Sequence, residues 1–223
     1  MCYDKKVAME GIFYNFRLLT EQERTELCCM IDGFVKEFSE SIDAVYKLAE
    51  DIETSENEWY KEVNREFIAI GIFVAYCFCD MSLMTKQFVQ SSNSYERAFL
   101  RGKLQVLLNE SFKKLYGFSK TAQCNSYFAR LKKLSELFPL FEDDIKDFET
   151  ELREYSTKDS WWKDERDAEV HLDIEKLYLY RHEEVNENKV VMETLPLMNF
   201  FNKMNVLSET LHKVFIAYLN MEE

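Results

Sequence analysis

Apolar side chains recur along this chain at steps of three and four residues, the period that lines one face of an α-helix. Thr20-Glu21-Gln22-Glu23 has the form of a capping box, and behind it come Leu27, Ile31, Phe34, Phe38, Ile42, Val45, Ala49 and Ile52. One amphipathic helix is predicted. The acid-rich stretch from Asp51 to Glu58 predicts a turn, and the pattern resumes from Trp59 to about Gln90 with Gly71 as the candidate for a bend. At 1.5 Å per residue that second helix would be about 48 Å long. Asn93-Ser94-Tyr95-Glu96 reads as another cap, opening a helix through Phe99, Leu104, Leu107, Leu108, Phe112 and Leu115 that should stop at Gly117. A fourth helix is expected from about Lys120 to Leu137. Phe138-Pro139 should end it, because proline cannot continue the hydrogen-bond ladder and disfavours helix at the preceding residue.

A fifth helix, from Leu140, uses Phe141, Ile145, Phe148 and Leu152, with Glu142, Asp143 and Asp144 suited to the positive end of its dipole. Thr157 to Ser160 offers a break, and Trp161 to His171 follows. The stretch onward to Asn188 is less regular, and Leu177-Tyr178-Leu179-Tyr180 alternates as a short extended segment would. The chain closes with Leu197, Phe201, Met204, Leu207, Leu211, Val214, Tyr218 and Met221, a helix that Thr194 could cap and Pro196 could start. There is no repeat, linker or low-complexity tract. The expectation is an all-α, single-domain bundle of about six or seven long helices spanning residues 1–223.

Composition narrows the picture. A chain of 223 residues can bury about 70% of its unfolded surface, and 47% apolar content with five Gly and two Pro excludes disordered, collagen-like and turn-rich all-β classes. Lys and Arg total 28 against 41 acids, a net charge of −13, the wrong sign for broad coating of nucleic acid. The charge is unevenly spread, however. Residues 94–137 hold nine bases and three acids, a local +6, whereas residues 140–189 hold eight bases and seventeen acids, a local −9. Set beside a site, the basic stretch could bind a phosphate backbone; turned toward the acidic stretch, it would be neutralised, and neutralisation is the favoured expectation.

Cys2, Cys28, Cys29, Cys77, Cys79 and Cys124 include no C-x-x-C pair and sit in helical apolar patterns, so reduced core thiols are expected. The residues after Met1 contain no apolar signal region, which with the thiols points to the cytoplasm. The longest uncharged apolar run, Phe67 to Cys79, is too short to span a bilayer and reads as a helix buried on all sides, so no membrane association is expected.

Three histidines limit the chemistry. His212 reads as a partly exposed helix residue and His182 as part of a solvated charged turn. No H-x-x-x-H, Walker, G-x-G-x-x-G or G-x-S-x-G pattern occurs, so neither a metal nor a cofactor is expected. What remains is Arg166-Asp167-Ala168-Glu169-Val170-His171, a permanent cation five positions from the side chain that titrates near neutrality. That pair suits attack of an RNA 2′-hydroxyl on the adjacent phosphorus: the imidazole moves a proton and the guanidinium binds the phosphorane oxygens. On an ideal helix the two residues lie about 140° apart, so convergence requires helix distortion, a wrapping arginine, or two copies meeting across a two-fold axis. The bland alternative pairs Arg166 with Glu165, Glu169 or another acid and leaves His171 as a helix end. Trp161 and Trp162 could stack bases, but a core or dimer-interface role is favoured.

Arg166, Asp167 and His171 resemble the signature of the HEPN superfamily, all-α domains marked by Arg, four to six residues and His, often with a polar residue directly after the Arg. The helix order and the late position of the motif look like the abortive-infection branch. The resemblance implies a metal-independent ribonuclease, acting as a toxin, abortive-infection factor or RNA-processing enzyme, with the motifs of a homodimer meeting at its interface. It implies catalytic roles for Arg166 and His171, with Asp167 as the polar orienting group. One subset of the family has a modifiable Tyr two residues after the His; Asp173 stands there instead. The rival reading is a non-catalytic helical module that binds a protein partner, its motif decayed or incidental.

Overall fold

Thr20 opens the first described helix as a true capping box, its hydroxyl accepting the Glu23 amide at 3.3 Å while the Glu23 carboxylate accepts the Thr20 amide at 2.7 Å. The structure, a computed structural model, describes residues 20–157, 162–182 and 187–222. Helix α1 (Glu21–Glu53) and helix α2 (Glu58–Gln90) form an antiparallel hairpin: Glu53 pairs with Arg65, Tyr46 meets Tyr76, and Asp32 pairs with Lys86. Helix α3 (Ser94–Leu115) is capped by the Asn93 carboxamide, which accepts the amides of Tyr95 and Glu96. It ends at Gly117, whose φ of 89° is the left-handed conformation that glycine takes without penalty. Helices α4 (Lys120–Cys124) and α5 (Tyr127–Ser135), a 3-10 turn (Pro139–Phe141) and α6 (Glu142–Ser156) follow; then come α7 (Trp162–His171), α8 (Ile174–His182) and α9 (Glu187–Glu222). The described residues are all-helical, with no strand.

The core gathers on α2. Ile70, Val74, Phe78, Met81 and Phe88 meet Leu27 and Ile31 from α1, Leu104, Leu108 and Phe112 from α3, and Phe201, Met204 and Phe215 from α9. Helix α9 returns along α2, placing Phe201 5.5 Å from Phe73 and His212 4.8 Å from Phe67, ring centre to ring centre. Helix α3 has two buried faces. One is apolar; the other carries Arg101, Gly102, Gln105 and Asn109 and lies beneath α7 and α8.

Five expectations are corrected. The described residues form nine α-helices rather than six or seven long ones, and α4, α5, α7 and α8 have ten residues or fewer. The single helix from Lys120 to Leu137 is two, because the Ser126 hydroxyl accepts the Ala129 amide at 3.1 Å and starts a new helix. Leu177 to Tyr180 is helical rather than extended, since Asp173 caps α8 and only Leu177 of the four is buried. The last helix begins at Glu187, not near Thr194: Thr194 and Pro196 lie inside it, and the Thr194 hydroxyl donates to the Val190 carbonyl at 2.9 Å. Burial of Val190 and Val191, worth roughly 1.5–3 kcal/mol each, offsets the roughly 3 kcal/mol cost of an interior proline. Finally, α2 is not buried on all sides, because Tyr76 and Leu83 are exposed. By length and composition alone α2 could cross a membrane, and 44% of its most apolar 18-residue window is buried in the fold.

Candidate functional site

The motif occupies α7, which packs along α3. Leu172, with φ of 52°, ends α7 in the left-handed conformation, and the Asp173 amide closes back onto the Ala168 carbonyl at 3.0 Å. Asp173 then caps α8, its carboxylate accepting the Lys176 amide at 3.3 Å and its carbonyl the Leu177 amide at 2.8 Å. The residue standing in the family subset's Tyr position thus reverses the chain directly after His171.

Arg166 is largely buried and held by two carboxylates. Its guanidinium donates to Asp167 on its own helix and to Glu110 on α3, the latter at 2.7 Å. The Asp167 hydrogen bond, and after it Glu110, raise the Arg166 pKa above the usual arginine value, so its charge is permanent. His171 is the last residue of α7 and is exposed; no described residue gives it a hydrogen bond or an ion pair. Arg166 and Asp167 are therefore together, whereas Arg166 and His171 share no partner among the described residues.

A carboxylate outside the Arg–His pair organises the surroundings. Glu169 lies one turn after Arg166, and its side chain, 4% exposed, accepts from Lys103 at 3.0 Å and from Arg181 at 3.1 Å. Gly102 admits it: a Cβ there would lie 2.4 Å from a Glu169 carboxylate oxygen. Beneath it, Arg101 donates to the Tyr180 carbonyl at 2.6 Å, tying α3 to α8. Residues from the basic stretch meet the acidic stretch in these contacts and again where Lys132 pairs with Glu149 at 2.7 Å. Of the nine bases in residues 94–137, Lys103 and Lys132 are paired with acids of residues 140–189 in this way. An open groove of about 620 Å³ runs between α2, α3 and α7, lined by Leu83, Met84, Leu107 and Val170 and by the charged Lys103 and Glu110, the latter a partner of Arg166.

Lys103, Glu110, Glu169 and Arg181 leave no local signature, because their partners lie 12 to 66 residues away. The one available signal is Gly102, an isolated glycine inside a helical pattern, which needs a packing reason to be tolerated. His212 is partly exposed, as its position suggests; it donates from Nε2 to Asn64 at 2.8 Å, and its ring lies tilted against that of Phe67. Trp161, and the side chains of Trp162 and His182, lie outside the described residues. Among the described residues no group of three or more His, Cys, Asp or Glu side chains could hold a metal ion.

Chemically, the exposed imidazole can exchange protons with a bound molecule. The guanidinium can bind an anion once one of its two carboxylates yields. Comparison with protein-family models, with curated proteins and with solved structures finds no match to this chain.

Proposed function

We propose that the chain is a HEPN-like, metal-independent endoribonuclease that works as a homodimer, in the toxin or abortive-infection setting that the resemblance implies. The observation that carries the reading is the solvent-facing His171 at the end of α7, to which no described residue gives a hydrogen bond, flanked by Val170, Leu172 and Ile174, which are all exposed. Such a cluster of exposed apolar side chains around a reactive group fits a surface that a second copy covers. In the reaction, His171 accepts the proton of an RNA 2′-hydroxyl and the 2′-oxygen attacks the adjacent phosphorus. Arg166 leaves one carboxylate and binds the non-bridging oxygens. The 5′-oxygen departs with a proton from the second copy's imidazole, giving a 2′,3′-cyclic phosphate and a 5′-hydroxyl.

A second reading is favoured by one observation: Arg166 already has two carboxylate partners, as a structural arginine would. In that reading the exposed apolar side chains dock a protein partner and the motif does no chemistry. One assay decides. Purified protein, incubated with single-stranded RNA in EDTA, should yield cyclic-phosphate ends, and His171→Ala should slow this by about 100-fold or more. Cleavage that is equal in the variant belongs to a contaminant and overturns the proposal, as does an intact strand with a protein that stays monomeric.

A further inference from the structure

The amino-terminal half of α3 presents aromatic rings to water, which an acidic helical protein does not need for its core. Tyr95 is 61% and Phe99 38% exposed. They stand four residues apart, on one face of the helix. A single guanidinium spans both: the Arg181 carbon lies 5.5 Å from the Tyr95 ring centre and 5.6 Å from that of Phe99, and its Nη1 donates to the Tyr95 hydroxyl at 2.8 Å. Lys103 lies 5.3 Å from the Phe99 ring centre. Both cations are in turn fixed by the buried Glu169, so rings and charges form one pre-organised layer.

The layer is in line with the motif. Tyr95, Phe99, Lys103 and Glu110 follow one another along α3, and Glu110 holds Arg166. At 1.5 Å per residue the rings lie about 16–22 Å from Glu110 along the helix, the reach of a few nucleotides of an extended strand. Exposed aromatic faces backed by arginine and lysine are what single-stranded nucleic acid uses: bases stack on the rings, sequence-tolerantly, while the cations meet the backbone. Lys103 and Arg181 share the single carboxylate of Glu169, so this three-residue cluster keeps one net positive charge for a phosphate backbone.

We infer that Tyr95 and Phe99, braced by Arg181 and Lys103, form a base-stacking subsite that holds single-stranded RNA on the α3 side of the Arg166–His171 motif. It rests on the ribonuclease reading for the choice of RNA. The subsite sets how tightly a strand is held, not how fast a bond breaks.

The probe is a fluorescein-labelled, 2′-O-methyl single-stranded RNA of about twelve nucleotides, which cannot be cleaved by 2′-hydroxyl attack, titrated with the full chain and read by anisotropy. Tyr95→Ala and Phe99→Ala should each weaken binding by about 5-fold to 100-fold, with Phe99→Leu, which keeps the bulk but not the ring, matching Phe99→Ala. Tyr95→Phe, which keeps the ring and loses the hydroxyl, should stay within about twofold of the parent. Binding that is unchanged in a folded Tyr95→Ala/Phe99→Ala double variant overturns the inference, and so does a parent protein that does not bind the strand. A parent that binds through both rings yet leaves ordinary RNA intact in EDTA upholds the subsite and removes the nuclease. The two ideas therefore fail separately.

Discussion

The side of the molecule built by α1, α2 and α9 and the side built by α3, α7 and α8 are held by different forces. On the first, large apolar side chains interlock over long helices, and ion pairs such as Arg65 with Glu53 stay at the surface. On the second, a buried carboxylate, two cations and one glycine set the distance between α3 and the short helices α7 and α8. Apolar packing spreads its energy over many neighbours, whereas a charge cluster concentrates it in a few groups whose geometry must be right. Arg166, Asp167 and His171, with the partner Glu110, all lie on the second side. Their placement is thus sensitive to single atoms, while the scaffold beneath them is not.

The largest effect should come from the packed side. Phe201→Ala, at a fully buried position against Phe73, should cost about 3–5 kcal/mol in urea unfolding followed by circular dichroism. A loss below about 1 kcal/mol would mean that α9 does not pack as described.

A smaller change should be more telling on the other side. Gly102→Ala places a methyl group against Glu169 and should destabilise by about 1–3 kcal/mol while weakening the hold of Lys103 and Arg181. Gly33→Ala is the control. Gly33 is exposed on α1 with nothing near its Cβ position, so the same substitution should there stabilise by about 0.5–1 kcal/mol. Equal effects at the two glycines would erase the contrast between the two sides.

The smallest effect is a pH dependence on the packed side. Burial lowers the pKa of His212 below its ordinary 6.5. The Asn64 carboxamide donates to the Tyr60 carbonyl, so its oxygen faces His212 and accepts the Nε2 proton of a neutral ring. The unfolded chain then takes up a proton before the folded one does. Stability from this group is complete above about pH 6.5 and declines as the pH falls below it. Unfolding curves between about pH 7.5 and 5.5 should show that decline, and His212→Gln should flatten it.

Much of the scaffold is legible in the sequence, since capping residues and a steady three-four period mark α1, α2, α3 and α6 within a few residues. What local pattern hides is competition. Ser126 interrupts a run whose hydrophobic period continues across it, and Pro196 looks like a helix start until the burial of Val190 and Val191 is known. Alternation at Leu177 to Tyr180 suggests a strand, yet a cap four residues earlier wins. The site divides in the same way. Arg166, Asp167 and His171 are visible as a spacing, but Glu110, Glu169 and Arg181 acquire meaning only when α3, α7 and α8 come together.

Two thiols bear on how self-association is measured. Cys29 on α1 and Cys124 at the end of α4 are exposed and free. In aerated buffer they are accessible for oxidation between molecules, and a covalent pair elutes from a sizing column at the same volume as a native one. Reductant separates the cases: a dimer that persists in it owes nothing to sulfur, and one that vanishes was an artefact of storage.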